Sequence, residues 1–245
     1  MRLMKWASAI SVNDGLDAAL SEAATAARSE LGEAPHLTCV FATSHHAPAL
    51  PRVPEILAAH VEGSALIGCS AGAVIGGGRE IEDGAAVALS LGVLPGVSIQ
   101  PFRIEQDDLP DPDSSPRAWH EALGVDPGDE PHFVLLADPF SIRVDQLLEG
   151  MDYAYPSSKK IGGLASGTSR PGENSLFLGN RVIQSGAVGV AMSGNVAVDT
   201  VVAQGCRPIG KPLRVTACRQ NLLLELDGKR PFETLQAIYE GLDEH

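Results

Sequence analysis

Two stretches of this chain repeat each other, and that repeat limits the fold more than any other feature of the sequence. VFAT at 40–43 recurs as LLAD at 135–138, 95 residues on. IGCSAG, beginning at Ile67, recurs 94 residues on as IGGLASG, beginning at Ile161. GAAVALSLG, beginning at Gly84, recurs 102 residues on as GAVGVAMSG, beginning at Gly186. Each stretch reads in one order: an apolar strand, a helix, a strand entering a Gly/Ser-rich turn, then further strands. The pattern predicts an α/β fold built from two β-α-β-β-β units, over about residues 36–104 and 132–203. Sheets with one apolar face bury best against each other, which puts the helices outside. A site between the halves, lined by both Gly/Ser turns, is then the natural place for a ligand.

The flanking elements follow from periodicity and turn chemistry. Met4 to Val12 reads as a strand, and Asn13 or Asp14 opens an Ala-rich helix running to about Leu31. Ala85 to Leu91 and Val97 to Ile104 read as two strands joined by the Leu-Pro-Gly turn at 94–96. Residues 106–116, acidic and Pro-rich, read as an exposed loop. Gly179-Asn180 and Gly194-Asn195 mark hairpin turns, the second leading into a strand from Val196 to Ala203. Strands at Leu213 to Ala217 and Asn221 to Leu226 and a helix from Pro231 close the chain.

Charge and cysteine usage narrow the partners. A formal net charge of −13 argues against a nucleic-acid partner, because tracking phosphates needs a basic surface. No apolar run approaches the roughly 18 residues of a membrane span, and the opening residues lack the long apolar core of a signal peptide. Cys39, Cys69, Cys206 and Cys218 form no CxxC pair and read as reduced thiols. The expectation is a cytoplasmic protein without metal or cofactor.

Three motifs invite chemistry. Gly68-Cys69-Ser70-Ala71-Gly72 matches the G-x-S-x-G string of a nucleophile elbow, and an apolar strand leads into it. Three consecutive glycines at 76–78 weaken the helix that an elbow requires, and no histidine stands at a supporting spacing; His120 or His132 as base and Asp138 or Asp145 as orienter are the available partners. His45-His46 follows a strand end but has no Cys, Asp or Glu at metal-ligand spacing. The turn Gln204-Gly205-Cys206-Arg207-Pro208-Ile209-Gly210 carries directional donors, and an arginine there suits a carboxylate.

IGGLASG, the run GAVGVAMSGNVAVDTVVAQGCRPIG and the run PLRVTACRQNLLLELDG, together with IGCSAGAVIGGG and DPFSIRVDQLLEGMDYAYP, resemble the N-terminal FIST domain and its junction with the FIST C-terminal domain. The resemblance covers roughly residues 30 to 230. It implies a FIST N-terminal-like domain over 1–212 and the start of a truncated FIST C-terminal-like segment over 213–245. It also implies an intracellular sensory module for a small ligand, an amino acid or other small carboxylate, with a signalling output protein as a possible partner. The chain ends at His245, about 17 residues after Gly228, and is read as a fragment or a short member of the family. The ligand-binding residues inferred from turn chemistry and the repeat are Cys69, Ser70, Gly163, Ser166, Gln204, Gly205, Cys206 and Arg207, with no catalytic residue. Two other readings remain: a serine hydrolase or peptidase using Ser70, and an interaction scaffold without a small ligand.

Overall fold

The computed structural model of the chain describes residues 3–202, 205, 208–219 and 222–241. Met1–Thr200 forms one compact unit and Val201–His245 a second, so the division falls upstream of the expected boundary at 212/213. In the first unit the repeat is complete and longer than expected. Its first copy runs β1 (Lys5–Ser11), α1 (Leu16–Leu31), β2 (Leu37–Thr43), α2 (Val53–Ala58), β3 (Ala65–Ala71), β4 (Val74–Gly76), β5 (Arg79–Ile81) and β6 (Val87–Val93). The second runs β7 (Val97–Ile104), α3 (Pro116–Leu123), β8 (His132–Ala137), α4 (Val144–Ala154), β9 (Lys160–Leu164), β10 (Leu176–Leu178), β11 (Arg181–Ile183) and β12 (Ala187–Gly194).

Strand order settles the repeat boundary. The first copy gives β1-β6-β2-β3 and the second β7-β12-β8-β9, with β2–β3 and β8–β9 parallel and the other pairs antiparallel. Val97 to Ile104 therefore opens the second copy, where the sequence reading placed it at the end of the first. Pairing also corrects one register. Leu37 faces Gly92 in the first sheet as His132 faces Met192 in the second, so β6 and β12 align 100 residues apart and the match at 102 slips by two.

The two sheets pack face to face with the helices outside, in four layers. Between them lie Leu37, Ile67, Cys69, Leu136, Leu176, Val188 and Val190, among others. On the outer face of the first sheet, β6 presents Val87, Leu89, Leu91 and Val93 to the small side chains of α1, including Ala19, Ala23 and Ala27. The second copy reverses the sizes. There β12 offers Ala187 and Ala191 to Trp119, Leu147, Met151 and Tyr155 from the helix side. Each large side chain so buried contributes about 1.5–3 kcal/mol, and alternating large against small lets the layers interdigitate.

The expected strand from Val196 to Ala203 is not formed: residues 195–202 are irregular, and Ala203 lies outside the described residues. Both sides of β12 are already occupied, by β7 and β8, so a returning hairpin strand has no ladder to join. The second unit consists of β13 (Val215–Arg219) paired with β14 (Leu222–Leu226), followed by α5 (Pro231–Glu240). No described helix is long and apolar enough to cross a membrane.

Gly68 in β3 and Gly162 in β9 are repeat equivalents, and each lies under a neighbouring carbonyl. A Cβ at Gly68 would stand 2.0 Å from the Val40 oxygen, and one at Gly162 would stand 1.7 Å from the Leu135 oxygen. A Cβ at Gly163 would meet nothing within 4 Å. Urea unfolding is expected to show Gly68→Ala and Gly162→Ala destabilised by about 2–3 kcal/mol or more, with Gly163→Ala within about 0.5 kcal/mol of the parent.

Candidate functional site

Repeat-equivalent linkers of very different length create the site. After β3 only Gly72 and Ala73 precede β4, whereas residues 165–175 separate β9 from β10. The short linker keeps the β4–β5 hairpin on its own sheet, where Val74 and Ile81 pack over Ala86 and Ala88. The long one lets β10–β11 cross to the other copy's sheet, where β10 adds antiparallel to β3. The crossing draws residues 165–175 over the carboxyl end of β3, beside the end of β2. Ligands in α/β proteins sit at such strand ends.

Ser70, 1 % exposed, anchors this loop from below. Its backbone N–H donates to the Ser175 carbonyl at 2.8 Å, and its carbonyl accepts from Ser166 N at 3.2 Å. Its Oγ accepts from Ser175 N at 2.9 Å and donates to Asn174 Oδ1 at 3.3 Å. Asn174, fully buried, also accepts from Thr168 N at 3.2 Å and donates through Nδ2 to Asp138 Oδ1 at 3.0 Å. Gly72 N donates to Ser166 Oγ at 3.1 Å, joining the two Gly/Ser turns directly. Gly167 has no room for a side chain, because its Cβ would stand 2.7 Å from that of Ser70.

Asp138 follows β8 as Thr43 ends β2, 95 residues earlier. Thr43 Oγ1 stays within its own copy, accepting from Ala86 N and donating to Gly84 O. Asp138 instead extends its carboxylate to Asn174. Its Oδ2 is buried without a hydrogen-bond partner among the described residues.

Above this network opens a cleft of about 710 Å³, lined among others by Ser44, Leu50, Ser70, Thr168, Arg170 and Gln184. Its volume falls within the range of small-molecule sites. Hydroxyls and an amide supply directional hydrogen bonds, and Arg170 supplies the positive charge. The guanidinium is largely exposed, 3.5 Å from Glu173 Oε1, in an ion pair that solvent screens strongly.

The residues expected to form the site divide into groups. Ser70 and Ser166 lie together, Ser166 N donating to the Ser70 carbonyl, and of the two Ser70 lines the cleft. Cys69 points to the opposite face of β3 and is buried between the sheets, because alternate side chains of a strand face opposite ways. Gly163 lies on the exposed strand β9 and does not line the cleft. Gly205 belongs to the second unit, and Gln204, Cys206 and Arg207 lie outside the described residues. Arg170, Thr168, Ser44, Gln184 and Asn174 were missed. Their signal is the unequal linker between repeat-equivalent strands, visible once IGCSAG and IGGLASG are aligned.

The nucleophile-elbow reading meets a different local structure. The β4–β5 hairpin follows Gly72 where an elbow needs a helix, and no imidazole is bonded to Ser70 among the described residues.

The family model of the FIST N domain matches residues 36–229. The chain belongs to the FIST N domain family. An uncharacterised protein of Mycobacterium bovis (Mb0898c) is 36% identical over 222 residues, covering 90% of this chain and 55% of the relative. An uncharacterised protein of Mycobacterium tuberculosis (MT0656) is 33% identical over 225 residues, covering 91% and 57%. The chain thus spans a little over half the length of these relatives. FIST domains are associated with signalling. The FIST match begins at His36, after β1 and α1, yet β1 pairs with β6 along its whole length and belongs to the same fold.

Asn174→Ala removes the partner of a buried carboxylate and is expected to cost about 3 kcal/mol in urea unfolding. Ser70→Ala, which leaves Ser175 N without its acceptor, is expected to cost about 1–2 kcal/mol. Burial pushes the Cys69 thiol up to about 12 and the Cys39 thiol up to about 11, so both stay protonated and unreactive at neutral pH. Iodoacetamide at mildly alkaline pH is therefore expected to modify the exposed Cys218 and spare Cys39 and Cys69 until the chain unfolds, as read by peptide mass spectrometry.

Proposed function

We propose that this FIST domain is an intracellular sensory module that binds a small carboxylate-bearing ligand, such as an amino acid, and performs no chemistry on it. The observation that carries the reading is the cleft over Ser70, with the Arg170 guanidinium at its rim and hydroxyls below. Arginine offers a carboxylate two parallel hydrogen bonds, and Thr168, Ser44 and Gln184 supply further polar contacts to fix orientation. The family's association with signalling supports the sensory role. The hydroxyl of Ser70 is committed as acceptor to Ser175 N and as donor to Asn174, an arrangement suited to holding a loop. Asn174 occupies the position where a hydrolase would place a base, and an amide does not take up a proton at neutral pH.

A thermal-shift panel of amino acids, dipeptides and small carboxylate metabolites tests this reading. A ligand that binds only the folded state at 100 times its Kd adds about 2.7 kcal/mol and raises the Tm. One class of compound is expected to shift the parent, with Arg170→Ala binding about tenfold or more weakly. A chain that melts cooperatively and responds to none of the panel would refute the reading.

A further inference from the structure

The two copies differ at one sheet edge. In the first copy the edge of β3 is covered by β10, with Leu176 opposite Cys69, Phe177 opposite Gly68 and Leu178 opposite Ile67. In the second copy the equivalent strand β9 pairs, among the described residues, with β8 alone. The β4–β5 hairpin, which repeats β10–β11, cannot reach it through Gly72 and Ala73. The edge left open is Ile161-Gly162-Gly163-Leu164, with Ile161 42% and Leu164 52% exposed. Edge strands are ordinarily protected by charge, proline or a bulge. The one charge in β9, Lys160, is turned inward, its ammonium bonded to the Tyr155 carbonyl at 2.6 Å and paired with Asp152 at 2.8 Å, and Ile161 to Leu164 carry neither charge nor proline.

The covered edge shows what the open one accepts. Ser70 N donates to Ser175 O, and Gly179 N to Leu66 O, so the outward backbone groups of β3 are those of Leu66, Gly68 and Ser70. Their equivalents in β9 are Lys160, Gly162 and Leu164, which Cα pairing with β8 sets 94 residues later. Phe177 is fully buried and stands directly opposite Gly68 across the ladder. Covering a strand glycine with a cross-strand aromatic is a recognised way of stabilising it. Gly162, the repeat equivalent of Gly68, has no residue opposite it on its outer side among the described residues.

We propose that β9 is a docking edge for an extended strand of a partner polypeptide. That strand adds antiparallel and carries an apolar–aromatic–apolar triplet whose aromatic residue stands opposite Gly162, as Phe177 stands opposite Gly68. Main-chain hydrogen bonds supply affinity and the triplet supplies specificity, as in other β-augmentation interfaces. The edge leads directly into residues 165–175, the loop over the cleft, so a strand docked there abuts the ligand-binding loop. The proposal rests on the sensory reading only for the partner's role as output.

The test uses a dye-labelled synthetic peptide copying residues 173–185, the chain's own β10–β11 sequence, titrated with the purified full chain and followed by fluorescence anisotropy. Saturable binding is expected, weakened at least about tenfold by Phe177→Ala within the peptide. Ile161→Lys, which charges the edge, and Leu164→Pro, which removes an outward N–H, are each expected to weaken it comparably in a chain whose melting is unchanged. No cleft ligand is present, so the result is independent of the thermal-shift panel. Absence of binding overturns the proposal. So does binding unaffected by either β9 variant, since the peptide would then be displacing the chain's own hairpin from β3. A dimer in sedimentation that Ile161→Lys dissociates and the peptide does not would assign the edge to a second copy, and likewise overturns it.

Discussion

The antiparallel addition of β10 to β3 is the constraint on which the rest of the first unit depends. Among the described residues it is the one ladder that joins the two copies, and it buries Leu176 between the sheets and Phe177 against the helix side of the first sheet. Without it residues 165–175 would have no fixed end. With it, that loop is held at Ser166 by the first turn and at Ser175 by the backbone of Ser70. The buried Ser70–Asn174–Asp138 chain adds a second attachment, to the end of β8, so the loop is tied to both copies by hydrogen bonds that water does not reach. Buried polar groups bonded to one another in this way favour one arrangement of the loop over its alternatives.

Duplication explains the four-layer fold, and divergence after duplication explains the site. The copies kept strand order and pairing but exchanged side-chain volume between sheet and helices. Gly189 illustrates the exchange, since its Cβ would stand 2.3 Å from the Phe102 ring. Packing at crystal-like density permits such trades as long as the total volume is preserved. Linker length is less constrained, because a surface loop is lengthened at little entropic cost. One long linker therefore sufficed to move a hairpin from one sheet to the other, close one edge, leave another open and roof a cleft.

Much of this was legible in the residues. The repeated strings located the paired sheets, the external helices and the meeting of Ser70 with Ser166. Apolar alternation placed most strands within a few residues of their observed ends. What the sequence concealed was of two kinds. Pairing partners are non-local, so nothing near Val97 marks it as the start of a new copy, and nothing near Val196 reveals that β12 is already flanked on both sides. The site's polar residues were concealed by their ordinariness. TSRPGEN at 168–174 looks like any exposed turn, and the burial of Asn174 depends on a strand pairing a hundred residues away. The turn at 204–210 is prominent in the sequence, and its Gln204, Cys206 and Arg207 lie outside the described residues.

The identity of residue 174 bears on what the site is for. Ser70, Asn174 and Asp138 follow one another as the members of a hydrolytic triad do, with an amide at the centre. An imidazole there would accept the serine proton and pass it on. The amide instead serves as a static bridge: its oxygen takes the Ser70 hydroxyl and Thr168 N, and its nitrogen reaches the Asp138 carboxylate. Every group that a nucleophile would need free is spent on holding the loop in place. The loop is thus held at its base by buried bonds while Arg170 above it stays exposed and weakly paired, which leaves its charge available to the carboxylate ligand proposed for the cleft.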